Sequence, residues 1–203
     1  MNDRNDKFIF VHVPKTAGTT FIKLLDRIYV GKTARDYKNK RGDKDNYIDE
    51  KPWKDCDIIY GHFSSDKYKH LKRPQISIIR DPVERVISEY FYKPGKARSV
   101  REYLSNKDLF AVNEVKSLNV IHDHIVDVNR FEFIGLTERF DEGLDKFEEW
   151  AGIKVPRDFV SFKMNTARKK TVSKEDRDYI KRTCEKDYEI YYRVLDRWWK
   201  NEK

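Results

Sequence analysis

The sequence predicts an α/β protein in which a short parallel sheet lies between two layers of helices, and three observations predict it. Phe8 to Val13, a near-continuous apolar and β-branched run as in strands buried on both faces of a parallel sheet, and Gln75 to Ile79, a shorter strand, each pass directly through a turn into residues of helical period. The segment that joins strand to helix in the first of them, Lys15-Thr-Ala-Gly-Thr-Thr20, is small, hydroxylated and basic. No internal repeat, low-complexity tract or Gly/Ser linker divides the 203 residues, so one domain spanning 1–203 is expected.

The first strand ends at Pro14. From Phe21 onward, Phe21, Leu24, Leu25 and Ile28 recur on one helical face. Residues 15–20 must then supply the turn and the first helical turn, whose unpaired N–H groups and positive dipole end attract an anion. Gly18 permits close backbone approach and Lys15 adds a full charge. An ATP or GTP loop would end in Gly-Lys-Ser/Thr to hold magnesium, whereas here lysine precedes glycine. A strand, turn and helix without phosphate chemistry has the same outline, so the loop alone leaves both readings open. Gly31 to Asp55 mixes charges with Gly42, Pro52 and isolated aromatics and reads as an irregular connection. Asp57 to Tyr60 reads as a second strand ending in Gly61-His62-Phe63, at the carboxyl edge where open α/β sheets bind ligands.

Gln75 to Ile79 is the third strand. Asp81 suits a helix cap, Pro82 the first helical position, and Glu84 completes an acidic capping box. Val83, Val86, Ile87, Tyr90 and Phe91 form the buried stripe, which puts Arg85 and Ser88 on the polar side. Arg80, at a strand end beside a helix N-terminus, and Ser88, two turns on, suit a second phosphate; a simple ion pair of Arg80 with Asp81 or Glu84 is the alternative. Val100 to Val128 reads as helical with breaks. His122 and His124 lack the further ligands of a metal site and read as a surface helix end, so no metal is expected. Phe131 to Thr137 is a fourth strand, and Phe140, Leu144, Phe147 and Trp150 make the following helix amphipathic before Gly152. Residues 156–171 show no period, and from Ser173 the chain reads as helical almost to its end.

The net charge of +8 favours polyanionic partners: nucleotides, acidic glycans, nucleic acid or anionic membrane. Aromatic residues at 14% argue against disorder. Cys56 and Cys184 are too few for a disulfide framework and read as reduced thiols. Met1 to Lys7 contains no signal-peptide core and no apolar run reaches membrane-spanning length, so a soluble, cytoplasmic protein without a membrane span is expected.

Pro14-Lys-Thr-Ala-Gly-Thr-Thr20 resembles the 5′-phosphosulfate loop of sulfotransferases that use 3′-phosphoadenosine 5′-phosphosulfate (PAPS), in particular the branch of Golgi carbohydrate enzymes such as heparan sulfate 2-O-sulfotransferase. Arg80-Asp-Pro, two residues, Arg85, two residues, Ser88 resembles that family's 3′-phosphate motif, in the expected order. The resemblance implies a fold like that of phosphate-loop NTPases, PAPS as co-substrate, adenosine 3′,5′-bisphosphate (PAP) as product, and no metal. It gives Lys15, Thr16, Ala17, Gly18, Thr19 and Thr20 the 5′-phosphosulfate, and Arg80 and Ser88 the 3′-phosphate. Arg168, Lys169 and Lys170 occupy the position of a basic loop that closes over the nucleotide in related enzymes. Gly135-Leu-Thr-Glu138 resembles the family's Gly-x-Thr-Glu segment, which implies packing. The Golgi relatives carry a membrane anchor, so the resemblance covers only their catalytic part.

Lys15 would neutralise the oxygen that gains charge as the nucleotide leaves, and a base would take the acceptor's proton. His62 is the candidate base, because it follows a glycine at a strand end and because Gly-His resembles the 2-O branch, whose histidine is its base; His12, just before the loop, is the runner-up. The implied acceptor is a hydroxyl on a glycan, with no nucleic-acid partner. Two other classes have cheap discriminators: a small-molecule kinase would need magnesium, and a basic nucleic-acid-binding module would show steep salt dependence without preference for a 3′-phosphorylated mononucleotide.

Overall fold

A computed structural model of the chain describes residues 7–37, 55–92, 97–105, 118–156 and 172–200. Its centre is a five-stranded sheet in the order β2-β3-β1-β4-β5, formed by β1 (Phe8–His12), β2 (Thr33–Asp36), β3 (Ile58–Gly61), β4 (Gln75–Ile79) and β5 (Phe131–Leu136). Every pairing is parallel. β1 runs between β3 and β4, with Val11 opposite Gly61 on one side and His12 opposite Ile78 on the other. All five of its residues are buried, which explains the apolar run Phe8 to Val11.

α1 (Gly18–Ile28) returns from β1 and buries Phe21, Leu24 and Leu25 against the sheet. On the other side of β1 the chain leaves β4 for α2 (Pro82–Tyr92), so the order reverses between β1 and β4. In open parallel sheets such a reversal is where ligands bind, at the carboxyl edge of the two strands. α5 (Phe140–Ala151) packs on β5 where a Cβ on Gly143 would lie 3.9 Å from the Gly135 Cα; two glycines let helix and strand close together. A second apolar cluster joins α2 to α3 (Val100–Ser105) and α6 (Lys174–Thr183) through Val86, Ile87, Tyr103, Leu104, Ile180 and Cys184.

Four readings of the sequence change. The connection after α1 contains β2, an edge strand of sequence Thr-Ala-Arg-Asp that is paired on one side only and therefore carries no apolar alternation. Its pairing needs Gly61, since a Cβ there would lie 1.9 Å from the Asp36 carbonyl oxygen. The C-terminal helix is not continuous: α6 stops at Thr183, α7 (Glu185–Val194) follows Cys184, and a π-helical turn at Leu195–Trp199 returns the Trp199 indole N–H to the Ile134 carbonyl at 3.1 Å. Finally, Arg85 is not on a polar face but is 1% exposed, ion-paired to the equally buried Glu89 at 2.6 Å. A charged pair one turn apart satisfies itself inside the core, which the periodicity of apolar residues alone does not register. α4 (Val120–His124) likewise ends in a buried residue, His124, rather than at the surface.

Candidate active site

The loop after β1 is built on two left-handed residues that are not glycine, Lys15 at φ 69° and Ala17 at φ 61°. Such conformations cost about 1–2 kcal/mol each and persist where neighbours hold them. Here the buried Thr16 hydroxyl donates to the Val13 carbonyl at 2.7 Å, closing the loop on itself. Ala17 caps α1, and its carbonyl accepts from Thr20 N at 3.0 Å and Phe21 N at 3.3 Å. Gly18 is buried, Thr19 exposed and Thr20 intermediate, so the turn predicted at 15–20 wraps the first turn of α1.

His12 forms the floor of this loop. A Cβ on Gly18 would lie 2.1 Å from the His12 Cδ2 and 2.2 Å from Nε2. Gly18→Ala is therefore expected to force the ring aside at a cost of about 1–3 kcal/mol, read as a lower denaturant midpoint; an unchanged midpoint would mean the ring can swing away freely.

Two further rings join His12. The Tyr37 hydroxyl lies 2.7 Å from His12 Nδ1, and His62 stacks at a tilt with its centroid 4.3 Å from that of His12. The Tyr37 ring stands edge-on to His62 at 4.8 Å. His62 Nδ1 is 2.7 Å from the His12 backbone carbonyl. A carbonyl only accepts, so Nδ1 carries the proton and Nε2 keeps its lone pair. Burial lowers the pKa of His62, opposed by its bond to that carbonyl and by the charge of Glu89. Burial also holds His12 well below the usual imidazole range, with His62, His124 and Lys15 pushing the same way. His62 is thus a neutral ring at pH 7 with its proton-accepting nitrogen fixed by geometry.

Sequence reasoning missed His124 as a neighbour of this group. Its ring lies 6.3 Å from that of His62, its Nδ1 donates to the Val120 carbonyl at 2.7 Å, and burial brings its pKa down to about 4. The Ser65 amide donates to the His124 carbonyl at 2.8 Å and the Val126 amide to Ser65 Oγ at 3.1 Å, stitching the segment after β3 to α4. No sequence signal links these distant segments.

On the other side of Lys15 stands α2. Asp81 Oδ1 accepts from Glu84 N at 3.0 Å, the expected cap, but Glu84 does not close the box. The Asp81 amide instead donates to Glu138 at 2.7 Å, while Glu84 pairs with Arg177 at 2.6 Å and, more loosely, with Arg80 at 3.7 Å. Glu84, Ser88 and Tyr92 follow at four-residue steps on one helical face. At the far end of that face the Lys15 ammonium sits 3.5 Å from the centroid of the exposed Tyr92 ring. Ser88 thus lies on a stripe whose two ends touch Arg80 and Lys15. Arg168, Lys169 and Lys170 lie outside the described residues. Among those described, no helix is long and apolar enough to cross a membrane.

The sequence model of the sulfotransferase family matches residues 1–198. No curated protein sequence matches. Among solved structures, the chain is similar to mouse sulfotransferase SULT7A1 complexed with PAP, at 18% identity and a TM-score of 0.51, over 77% of this chain and 62% of that one. The chain therefore spans less than two thirds of the mouse structure. It is also similar to a sulfotransferase from Alicyclobacillus acidocaldarius, at 12% identity and a TM-score of 0.62, over 97% of both chains. At these identities the likeness concerns the fold, a parallel sheet flanked by helices.

Proposed function

The chain belongs to the sulfotransferase family, and from that premise we propose that it moves a sulfuryl group from PAPS to an acceptor hydroxyl, with PAP as the product. The observation that carries the reading is the α2 stripe: Lys15, over Tyr92, and Arg80, beside Glu84, flank Ser88 from opposite ends of one helical face. A nucleotide phosphorylated at both its 5′ and 3′ positions needs two separated anion sites, and these two cations sit at the carboxyl ends of adjacent strands. The phosphosulfate end is assigned to Lys15–Thr20, where left-handed backbone turns the loop around the N-terminus of α1.

In this reading the acceptor oxygen attacks sulfur as the bond from sulfur to the bridging phosphate oxygen breaks. Lys15 neutralises charge growing on the departing phosphate, and His62 Nε2 takes the hydroxyl proton. His62, Lys15 and Arg80 follow the ends of β3, β1 and β4, which are neighbours in the sheet; that order supports the proposed succession of base, transfer point and 3′-phosphate along one edge.

Isothermal calorimetry without added metal tests the nucleotide assignment. PAP is expected to bind more tightly than AMP, and Arg80→Ala to remove most of the difference, since a hydrogen bond to a charged group contributes about 1.5–3 kcal/mol. Equal affinities in the wild type would overturn it.

The acceptor is assigned to carbohydrates on the resemblance of Gly61-His62 to the 2-O branch, with the net charge of +8 suiting an acidic glycan. A screen with labelled PAPS against glycans and small hydroxyl compounds decides this; sulfate uptake confined to phenols would refute the glycan. A cytoplasmic location belongs to the same proposal, and the buried free thiols of Cys56 and Cys184 suit a reducing compartment.

A further inference from the structure

β4 and β5 pair as far as Ile79 opposite Leu136, and Arg80 is the first residue beyond that ladder. The side chains that follow Leu136 continue the pairing. Thr137 Oγ1 donates to the Ile79 carbonyl at 3.0 Å, and a Glu138 carboxylate oxygen accepts from the Asp81 amide at 2.7 Å. The peptide groups on either side of Arg80 are therefore tied to two consecutive residues of one neighbouring segment. Asp81 is held again through its carboxylate, which accepts from Glu84 N at 3.0 Å and from the Tyr188 hydroxyl at 3.0 Å.

The side chain of Arg80 is not fixed so firmly. Its ion pair with Glu84 spans 3.7 Å, beyond hydrogen-bond reach, and Glu84 is engaged at 2.6 Å by Arg177. The guanidinium leaves the sheet edge from a backbone held at residues 79–81, with the Glu138 carboxylate also acting on it through its charge. We propose that Glu138, assisted by Thr137, is a positioning residue that aims Arg80 at the 3′-phosphate and so sets the discrimination between PAP and AMP. The inference rests on the assignment of Arg80 to that phosphate. It goes beyond packing: Glu138 lies on the exposed side of this edge, so shortening it opens no cavity in the core.

The test is calorimetry of PAP and of AMP with the wild type and with Glu138→Ala, Glu138→Gln, Thr137→Val and Arg80→Ala. Glu138→Ala is expected to lower the PAP:AMP affinity ratio about tenfold or more while AMP affinity moves less than about twofold, the scale of losing one hydrogen bond to a charged acceptor. Glu138→Gln retains an oxygen that accepts from the Asp81 amide and is expected to keep the ratio within about twofold of the wild type. Thr137→Val, close in shape, is expected to lower the ratio in the same direction. An unchanged ratio in Glu138→Ala would overturn the proposal, as would equal loss of PAP and AMP affinity, which marks a general structural defect. A Glu138→Gln variant as poor as Glu138→Ala would also overturn it, because charge rather than the backbone tie would then be responsible. If Glu138→Ala fails to fold, Glu138→Gln and Thr137→Val decide alone: a ratio kept by the first and lowered by the second supports the positioning role, and any other pair of results refutes it. Failure of the underlying assignment looks different, since the wild type itself would then not prefer PAP and Arg80→Ala would change nothing.

Discussion

Glu89→Ala is expected to destabilise the fold by about 3–5 kcal/mol, the scale of leaving one partner of a buried ion pair uncompensated. Arg85 and Glu89 are each 1% exposed, and the guanidinium reaches the carboxylate at 2.6 Å within a single turn of α2. Among the described residues the Arg85 Nε already has no hydrogen-bond partner, so the guanidinium has little to fall back on once the carboxylate is gone. Asp187, wholly buried on α7 with its pKa raised to about 6 by burial and held down by Arg85, is the other acidic group that acts on the guanidinium. The double variant Arg85→Met, Glu89→Leu is expected to lose much less than Glu89→Ala alone, because it removes both charges and keeps the volume. Urea unfolding midpoints at pH 7 check both statements. A loss below about 1 kcal/mol for Glu89→Ala would show that water reaches Arg85. The pair matters for the proposed site because Ser88 lies between its members on α2, so the stripe proposed for the nucleotide stands on a helix whose inner side is locked by charge.

What the sequence made legible is what local chemistry controls. β1 and β4 are buried on both faces and rich in Phe, Ile and Val, so they could be read as strands without knowing their neighbours. The Asp81 cap is likewise local and is formed as expected, and Ser173, where the last helical stretch begins in the sequence, caps α6 by accepting from Asp176 N at 3.1 Å. β2 was illegible because a short edge strand is specified by its partner, and the close fit at Gly61 that permits it is a property of two segments more than twenty residues apart. The burial of Arg85 was hidden for a related reason: helical periodicity sorts residues by polarity, whereas Arg85 and Glu89 solve the polarity problem between themselves. Within the candidate site, Lys15, Arg80 and Ser88 stood out because each belongs to a spaced motif. Tyr37 and His124 belong to none, and only the pairing of β2 with β3 and the tie of α4 to the segment after β3 bring them to His62.

Lys15→Ala and His62→Ala are each expected to slow sulfuryl transfer by ~100-fold or more, the loss that follows removal of one transition-state donor or one positioned base. Their pH profiles separate the two roles. The acid limb of the wild-type profile is assigned to protonation of His62 Nε2, and burial lowers that pKa, so the rate is expected to hold as pH falls through 6.5, the usual imidazole value, and to drop only below it. Lys15→Ala leaves the base intact and is expected to keep this limb at a uniformly lower rate. His62→Ala is expected to lose it. The residual rate should then be flat across the interval in which the imidazole titrates. Because removing His62 also removes the N–H donor that the His12 carbonyl accepts at 2.7 Å, His62→Asn serves as the control: its amide can donate there but cannot take a proton. Calorimetry with PAP should show both His62 variants binding the nucleotide as the wild type does. If His62→Asn turns over normally, or if an acid limb persists in both variants, His62 is not the base and the proton passes to His12, whose ring lies 4.3 Å away under Gly18.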